Sequence, residues 1–184
     1  RGAFRQIRRE HPFTIDAIVV LPDHLHCVWQ LPPDDADFPT SWRLIKARFS
    51  RCIDVGERIS QSRQRKGERG IWQRRYWEHA IRDEQDYQRH VDYIHFNPVK
   101  HGYVQSVKGW PYSSFHRWVK RGLYPADWAA VSPEVVSANG SEVECYRATT
   151  RVGGAPGEPR LSYKQGFSVL TLSDNSVESL RASD

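Results

Sequence analysis

Two histidines, His24 and His26, lie one residue apart in the apolar, proline-bounded stretch LPDHLHCVWQLP at residues 21–32. In an extended strand the side chains alternate between faces, so both imidazoles project from one face while Leu25 projects from the other. Their Cβ atoms then lie roughly 6 to 7 Å apart, near enough for both rings to converge on one metal ion or one phosphate. Two half-buried histidines with local partners satisfy the same spacing, and this stretch alone leaves both readings open. A second group sits in RHVDYIHFNPVKHGYV, residues 89–104. Tyr93 and Asn97, four residues apart, share one face of a helix, with His90 one turn earlier and Lys100 as a basic neighbour. A phenol nucleophile, an amide oxygen able to bind a cation and an ammonium group would then occupy one surface.

Positioning these groups takes a strand and a helix, and the pattern supplies both. The stretch FTIDAIVVLP (13–22) is rich in β-branched residues and stopped by Pro22; HLHCVWQL returns from it as the second arm of a hairpin, closed by Pro32 and Pro33. The histidine pair therefore falls on a strand. Before the hairpin, residues 1–11 carry Phe4 and Ile7 at helical spacing; after it, WRLIKARFSRCIDV (42–55) spaces Trp42, Ile45, Phe49, Cys52 and Ile53 at three- and four-residue intervals, an amphipathic helix. The aromatic segment IWQRRYWEHAIR (71–82) reads as a third strand. Asp83 then caps a helix containing YQRHVDYIHF, which Pro98 should end or kink at Asn97, with PVKH forming a further turn. A last basic, aromatic helix is expected in YSSFHRWVKRG (112–122). From about Ser132 serine, glycine and glutamate rise and periodicity is lost, so residues 132–184 read as an extension to a domain of residues 1–131. One short strand is legible in it, GFSVLTLS (166–173).

The totals narrow the function classes. A chain of 184 residues with a formal charge of +5 suits one compact domain with an anionic partner. Its seven Trp and eight Tyr are interleaved with basic residues, a combination that suits stacked bases and phosphates. Cys27, Cys52 and Cys145 are too few and scattered for a disulfide framework, and no CxxC pair offers a zinc ribbon. No run approaches the roughly 18 apolar residues of a membrane span, and no signal-peptide core follows the basic opening. The expected setting is a reducing cytoplasm.

Taken together, LPDHLHCVW and DYIHFNPVKHG, with the flanks WRLIKARFSR, RRYWEHAIRDEQDYQRHVDYI and GWPYSSFHRWVKRGLYPADW, resemble the single-tyrosine HUH transposases of the IS200/IS605 group, and most closely the REP-associated tyrosine transposases. The resemblance covers about residues 1–128. It implies an α+β, ferredoxin-like antiparallel sheet with helices on one face. It also implies a metal-dependent single-stranded DNA endonuclease and strand transferase acting on REP-type hairpins. In that assignment Tyr93 is the nucleophile that leaves a covalent 5′-phosphotyrosine, and His24, His26 and Asn97 hold one divalent ion. A phosphate substrate and an amide oxygen favour Mg²⁺ or Mn²⁺ in that position. Hairpin contacts would come mostly through phosphates, from Arg63, Arg65, Lys66, Arg69, Arg74, Arg75, Lys100, Arg117, Lys120 and Arg121.

The implied partner is a single-stranded DNA hairpin, with no membrane, for a monomer or homodimer associated with the nucleoid. A protein that keeps the fold and holds hairpins without cutting them is the alternative from another class. The family begins with a strand that this sequence does not show, because it opens inside the following helix. That strand would lie centrally, between the histidine strand and the strand before the tyrosine helix, and its loss would leave unpaired backbone groups. Truncation, a mis-assigned start, or another segment filling the gap are the three accounts, and GFSVLTLS is the candidate filler.

Overall fold

A computed structural model describes residues 1–56, 59–73 and 76–129, and the strand at 165–171. The elements are α1 (Gly2–Glu10), β1 (Thr14–Val20), β2 (His24–Gln30), α2 (Phe38–Arg51), the single turn α3 (Gln61–Gln64), β3 (Trp77–Ala80), α4 (Glu84–Lys100), α5 (Phe115–Lys120) and β4 (Gln165–Thr171). The hairpin, both long helices and the strand in GFSVLTLS thus lie where the apolar periodicity puts them.

The four strands form one antiparallel sheet in the order β1-β2-β4-β3. β4 occupies a central position, pairing with β2 from His24↔Thr171 to Gln30↔Gln165 and with β3 from Trp77↔Val169 to Ala80↔Gly166. The facing edges of β2 and β3 therefore find main-chain partners, which removes the unpaired N–H and C=O groups that an empty position would leave. Residues 130–164 and 172–184, which include the rest of the expected extension, lie outside the described residues.

Helices cover both faces of the sheet, a correction to the one-sided arrangement expected from the resemblance. The reason is visible in β2, where every residue from Leu25 to Trp29 is buried, so that neither face can be left to water. Leu25, Cys27 and Trp29 pack with Ile7 of α1 and with Trp42 and Ile45 of α2. On the other face Ala17, Val19 and Val28 pack against Tyr87, Val91 and Ile94 of α4 and Phe115 of α5. The outer edge of β1 is covered as well: Val20 N–H donates to Tyr112 O, Ser114 N–H to Ile18 O, and Ile18 N–H to Ser114 Oγ.

Both ends of α4 are held. Asp83 caps it, its Oδ1 accepting from Asp86 N at 2.8 Å. The Asp86 carboxylate in turn accepts from His79 Nε2 of β3 at 2.7 Å and from Arg82 N and Nε at 3.1 and 3.2 Å. Burial alone would raise the Asp86 carboxyl, but these donors hold it well below the usual carboxylate range. At its other end α4 runs on through Pro98 to Lys100 instead of stopping at Asn97. Proline removes one donor there, and the helix continues through a turn in which Asn97 and Pro98 are both buried. The helix closes when Gly102, at φ 71°, donates to Val99 O and Tyr103 N–H donates to Pro98 O, a reversal that favours glycine.

Two outcomes test this architecture. Val169→Pro, in a strand paired on both sides, removes a ladder donor and is expected to abolish cooperative unfolding in a urea titration followed by circular dichroism. The second concerns His95, fully buried with Nε2 at 3.0 Å from Ser114 Oγ. Burial, aided by the charges of Arg117 and His116, lowers its pKa from 6.5 to about 3. The unfolded chain therefore takes a proton that the native protein refuses, so this contribution is intact above pH 6.5 and is lost as pH falls from 6.5 toward 3. His95→Gln should flatten stability against pH in that window by up to about 1.4 kcal/mol per pH unit, measured by urea unfolding at a series of pH values.

Candidate active site

The even-numbered face of β2 meets α4, and the two histidines meet the tyrosine there. His26 is 4% exposed, and its ring centre lies 5.2 Å from that of Tyr93. The His24 ring is 4.8 Å from that of His26 and 5.2 Å from that of His101. Tyr93, Asn97 and His101 follow one another at four-residue intervals and so form one stripe along α4 and its cap. Asn97 lies midway between the two rings that touch the histidines. It is fully buried, and neither atom of its carboxamide has a hydrogen-bond partner among the described residues. A buried amide without a partner is costly unless something in the site uses it, and a cation is the fitting user.

Electrostatics agree with that donor set. His26 is lowered from 6.5 to about 3, first by burial and then by the neighbouring charges of His24, His101 and Lys100, so it stays neutral. A neutral imidazole is the form that binds metal. His24 Nδ1 donates to Asp23 Oδ1 at 2.6 Å, so Nε2 is the ring nitrogen available to an ion. A carboxylate on the far nitrogen of a ligating histidine orients the ring and raises its basicity. The hydrogen bond from His24 also helps hold the Asp23 carboxyl below its ordinary range, against the effect of burial. Two imidazoles and one amide oxygen leave other positions of a divalent ion for water or phosphate oxygen, a set that suits Mg²⁺ or Mn²⁺. Beside Tyr93, Lys100 Nζ stands 3.5 Å from the phenol oxygen and 4.9 Å from the ring centre, able to stabilise a phenolate.

Two members of this arrangement are absent from the sequence reading, Asp23 and His101. The four-residue step that joined Tyr93 to Asn97 leads on to His101, so that signal was present; for Asp23 it was only adjacency to His24 in the turn. His90, one turn before Tyr93 on α4, is directed to β3. Its Nδ1 donates to Asp86 O at 2.7 Å, and its ring stacks on that of His79 at 4.9 Å. His79, Asp86 and His90 bring potential ligand atoms within 4.8 Å of one another, but Arg82 and Arg89 already bring positive charge to the same carboxylate.

The basic side chains divide. Arg63 donates to Gly70 O, and Arg69 donates to Ser50 O, to Ile53 O at 2.8 Å and to Asp54 O at 2.8 Å, tying the loop to the end of α2. Arg117 donates to Ile15 O at 3.0 Å and to Asp16 O, clasping β1. Arg65, Lys66, Lys100, Lys120 and Arg121 are exposed. Arg74 and Arg75 lie outside the described residues.

Comparison with known proteins gives these positions a context. Residues 1–97 match the family described as IS200-like transposases. The chain is 51% identical over 129 residues to the REP-associated tyrosine transposase of Escherichia coli K12, covering 70% of each sequence. It is 50% identical over 129 residues to a REP-associated tyrosine transposase of Haemophilus influenzae Rd, covering 70% of this chain and 73% of that one. A solved structure of a REP-associated tyrosine transposase bound to a REP hairpin matches with a TM-score of 0.59 and 47% identity, covering 77% of this chain and 79% of that one.

If Asp23 orients His24 toward an ion, Asp23→Ala should weaken Mn²⁺ binding about 10- to 100-fold by isothermal titration calorimetry while leaving the thermal midpoint nearly unchanged. An unchanged Mn²⁺ affinity would remove Asp23 from the site.

Proposed function

The chain belongs to the family of IS200-like transposases, and from that premise we propose that it is a metal-dependent single-stranded DNA endonuclease and strand transferase acting on REP-type hairpins. The observation that supports this reading most is the meeting of Tyr93 with His26, beside His24 and the buried, unpartnered carboxamide of Asn97. The hairpin enters the proposal from the bound ligand of the solved relative.

In this reading the Tyr93 oxygen attacks the scissile phosphorus in line with the departing 3′ oxygen. The phosphorus–tyrosine bond forms and the phosphorus–3′-oxygen bond breaks, leaving a 5′-phosphotyrosine and a 3′-hydroxyl that takes up a proton. Lys100, whose Nζ lies 3.5 Å from the attacking oxygen, would bring positive charge to the phosphate there. His24, His26 and Asn97 would hold one Mg²⁺ or Mn²⁺, which supplies positive charge at the non-bridging oxygens. Reversal of the first step, with a different 3′-hydroxyl attacking the phosphotyrosine, joins strands. Exposed Arg65, Lys66, Lys120 and Arg121 are the cations we assign to the hairpin phosphates.

We place the working domain in residues 1–131 together with β4, acting on DNA in the cytoplasm as a monomer or homodimer. Among the described residues no helix is long and apolar enough to cross a membrane.

A denaturing gel with end-labelled single-stranded REP-type hairpins tests the reading. A covalent band is expected with Mg²⁺ or Mn²⁺, lost with EDTA and lost in Tyr93→Phe. Lys100→Ala should slow its formation about 100-fold, the scale of one missing charge-stabilising donor. Hairpin binding without any covalent band would favour the non-catalytic, hairpin-holding alternative.

A further inference from the structure

A row of aromatic rings leads away from the candidate active site. It starts at His24, whose ring centre lies 5.2 Å from that of His101. The His101 ring stacks on Tyr103 at 6.0 Å with planes 25° apart, and Tyr103 stacks on Trp110 at 5.4 Å with planes 29° apart. Tyr112 follows, 6.0 Å from Trp110 and nearly edge-on to it. The row is open to solvent, with Tyr103 38% exposed and Tyr112 59% exposed. Trp110 leans on the core beside α4 and the main chain of Tyr112 covers the edge of β1, while the rings of Tyr103 and Tyr112 stay exposed.

The row is rigid. Trp110 Nε1 donates to Val20 O at 3.0 Å and Trp110 O accepts from His116 Nε2 at 2.9 Å, fixing the indole against the end of β1. Tyr112 O accepts from Val20 N at 2.9 Å, and Tyr103 N–H closes the cap of α4. The rings are thus held by β1, the strand paired with the histidine strand, and by the cap of α4, the helix that carries Tyr93. Rings whose own main chain is anchored in this way lose little freedom when a ligand stacks on them. Lys100, which precedes His101, and Lys108, two residues before Trp110, are exposed and carry the kind of charge a phosphate backbone needs.

We propose that His101, Tyr103, Trp110 and Tyr112 form a stacking platform for the unpaired nucleotides that adjoin the scissile phosphate. The inference rests on the reading of the site as a DNA-cleaving centre. The Tyr93 site lies between β2 and α4, where Tyr93 is partly buried and His26 almost wholly so. A strand that reaches it must leave its duplex, and once unpaired its bases need a new surface. Exposed rings continuous with the site provide one, and stacking accepts any base. The duplex stem, by contrast, offers mostly phosphates, which suit the exposed cations elsewhere on the molecule.

Fluorescence anisotropy with three probes on the full chain tests this: a blunt hairpin, the same hairpin with an unpaired flank, and the flanked hairpin with abasic sites in the flank. The wild-type chain should bind the flanked hairpin more tightly than either other probe. Tyr112→Ala and Tyr103→Ala should each lower affinity for the flanked hairpin about 10-fold, with little change for the blunt or abasic probes, and Tyr112→Phe should restore it. Quenching of Trp110 fluorescence, identified by its loss in Trp110→Leu, should accompany binding of the flanked probe only. Equal losses on blunt and flanked hairpins, or no loss on either, overturn the platform while leaving hairpin binding in place. If the wild-type chain binds no hairpin, the hairpin reading falls; the platform then stands only if an unstructured oligonucleotide binds with the same dependence on Tyr103 and Tyr112.

Discussion

Everything at the candidate site depends on the seating of one strand. β2 is paired along both edges, with β1 and β4, and buried on both faces. Leu25, Cys27 and Trp29 face α1 and α2, while His24, His26 and Val28 face the other side. A strand fixed on four sides cannot slip by a residue, because a one-residue slip would exchange Trp29 for Val28 and turn both imidazoles into the opposite core. The polar site is therefore held in register by apolar packing on the face that does no chemistry.

The helix across from β2 is fixed by polar contacts rather than by apolar area alone. Asp86 gathers His79, Arg82 and His90 at one end, which ties α4 to β3. Nearly two turns further along, the Asp92 carboxylate accepts from Gln88 Nε2 at 2.9 Å and from the Tyr124 hydroxyl, which ties α4 to the segment after α5. Burial raises the Asp92 carboxyl above its ordinary range in spite of these donors. Rotation of α4 about its axis would break both sets, so the stripe of Tyr93, Asn97 and His101 stays aimed at β2. Inverting the usual division of labour, polar groups orient the helix and apolar groups register the strand.

Charge is a poor guide to which cations face a ligand. The chain is rich in arginine, and three of the arginines nominated for DNA use their guanidinium groups on main-chain carbonyls: Arg63 and Arg69 in the loop after α2, and Arg117 on β1. A guanidinium satisfies several carbonyls at once in a fixed plane, a task lysine performs less well. Such arginines brace loops that have little apolar area to bury. Arg65, Lys66, Lys100, Lys120 and Arg121 are the nominated cations that stand exposed on the surface.

The sequence by itself determined the local elements and the chemical types at the site. Alternation placed His24 and His26 on one face of a strand, the four-residue step placed Asn97 beneath Tyr93, and Asp83 marked the start of their helix. These are short-range consequences of strand and helix period, legible without knowing what lies across from them. Tertiary structure decided what those periods cannot encode. It brought His101 to His24 and Asp23 onto the imidazole, carried α4 through Pro98 in a turn that is buried, and laid helices on both faces so that β2 is buried on both sides. Above all it seated Gln165–Thr171 between β2 and β3, nearly a hundred and forty residues from its neighbour on one side. Main-chain hydrogen bonds carry no sequence label, so a strand of the right length and direction can complete a sheet from anywhere along the chain.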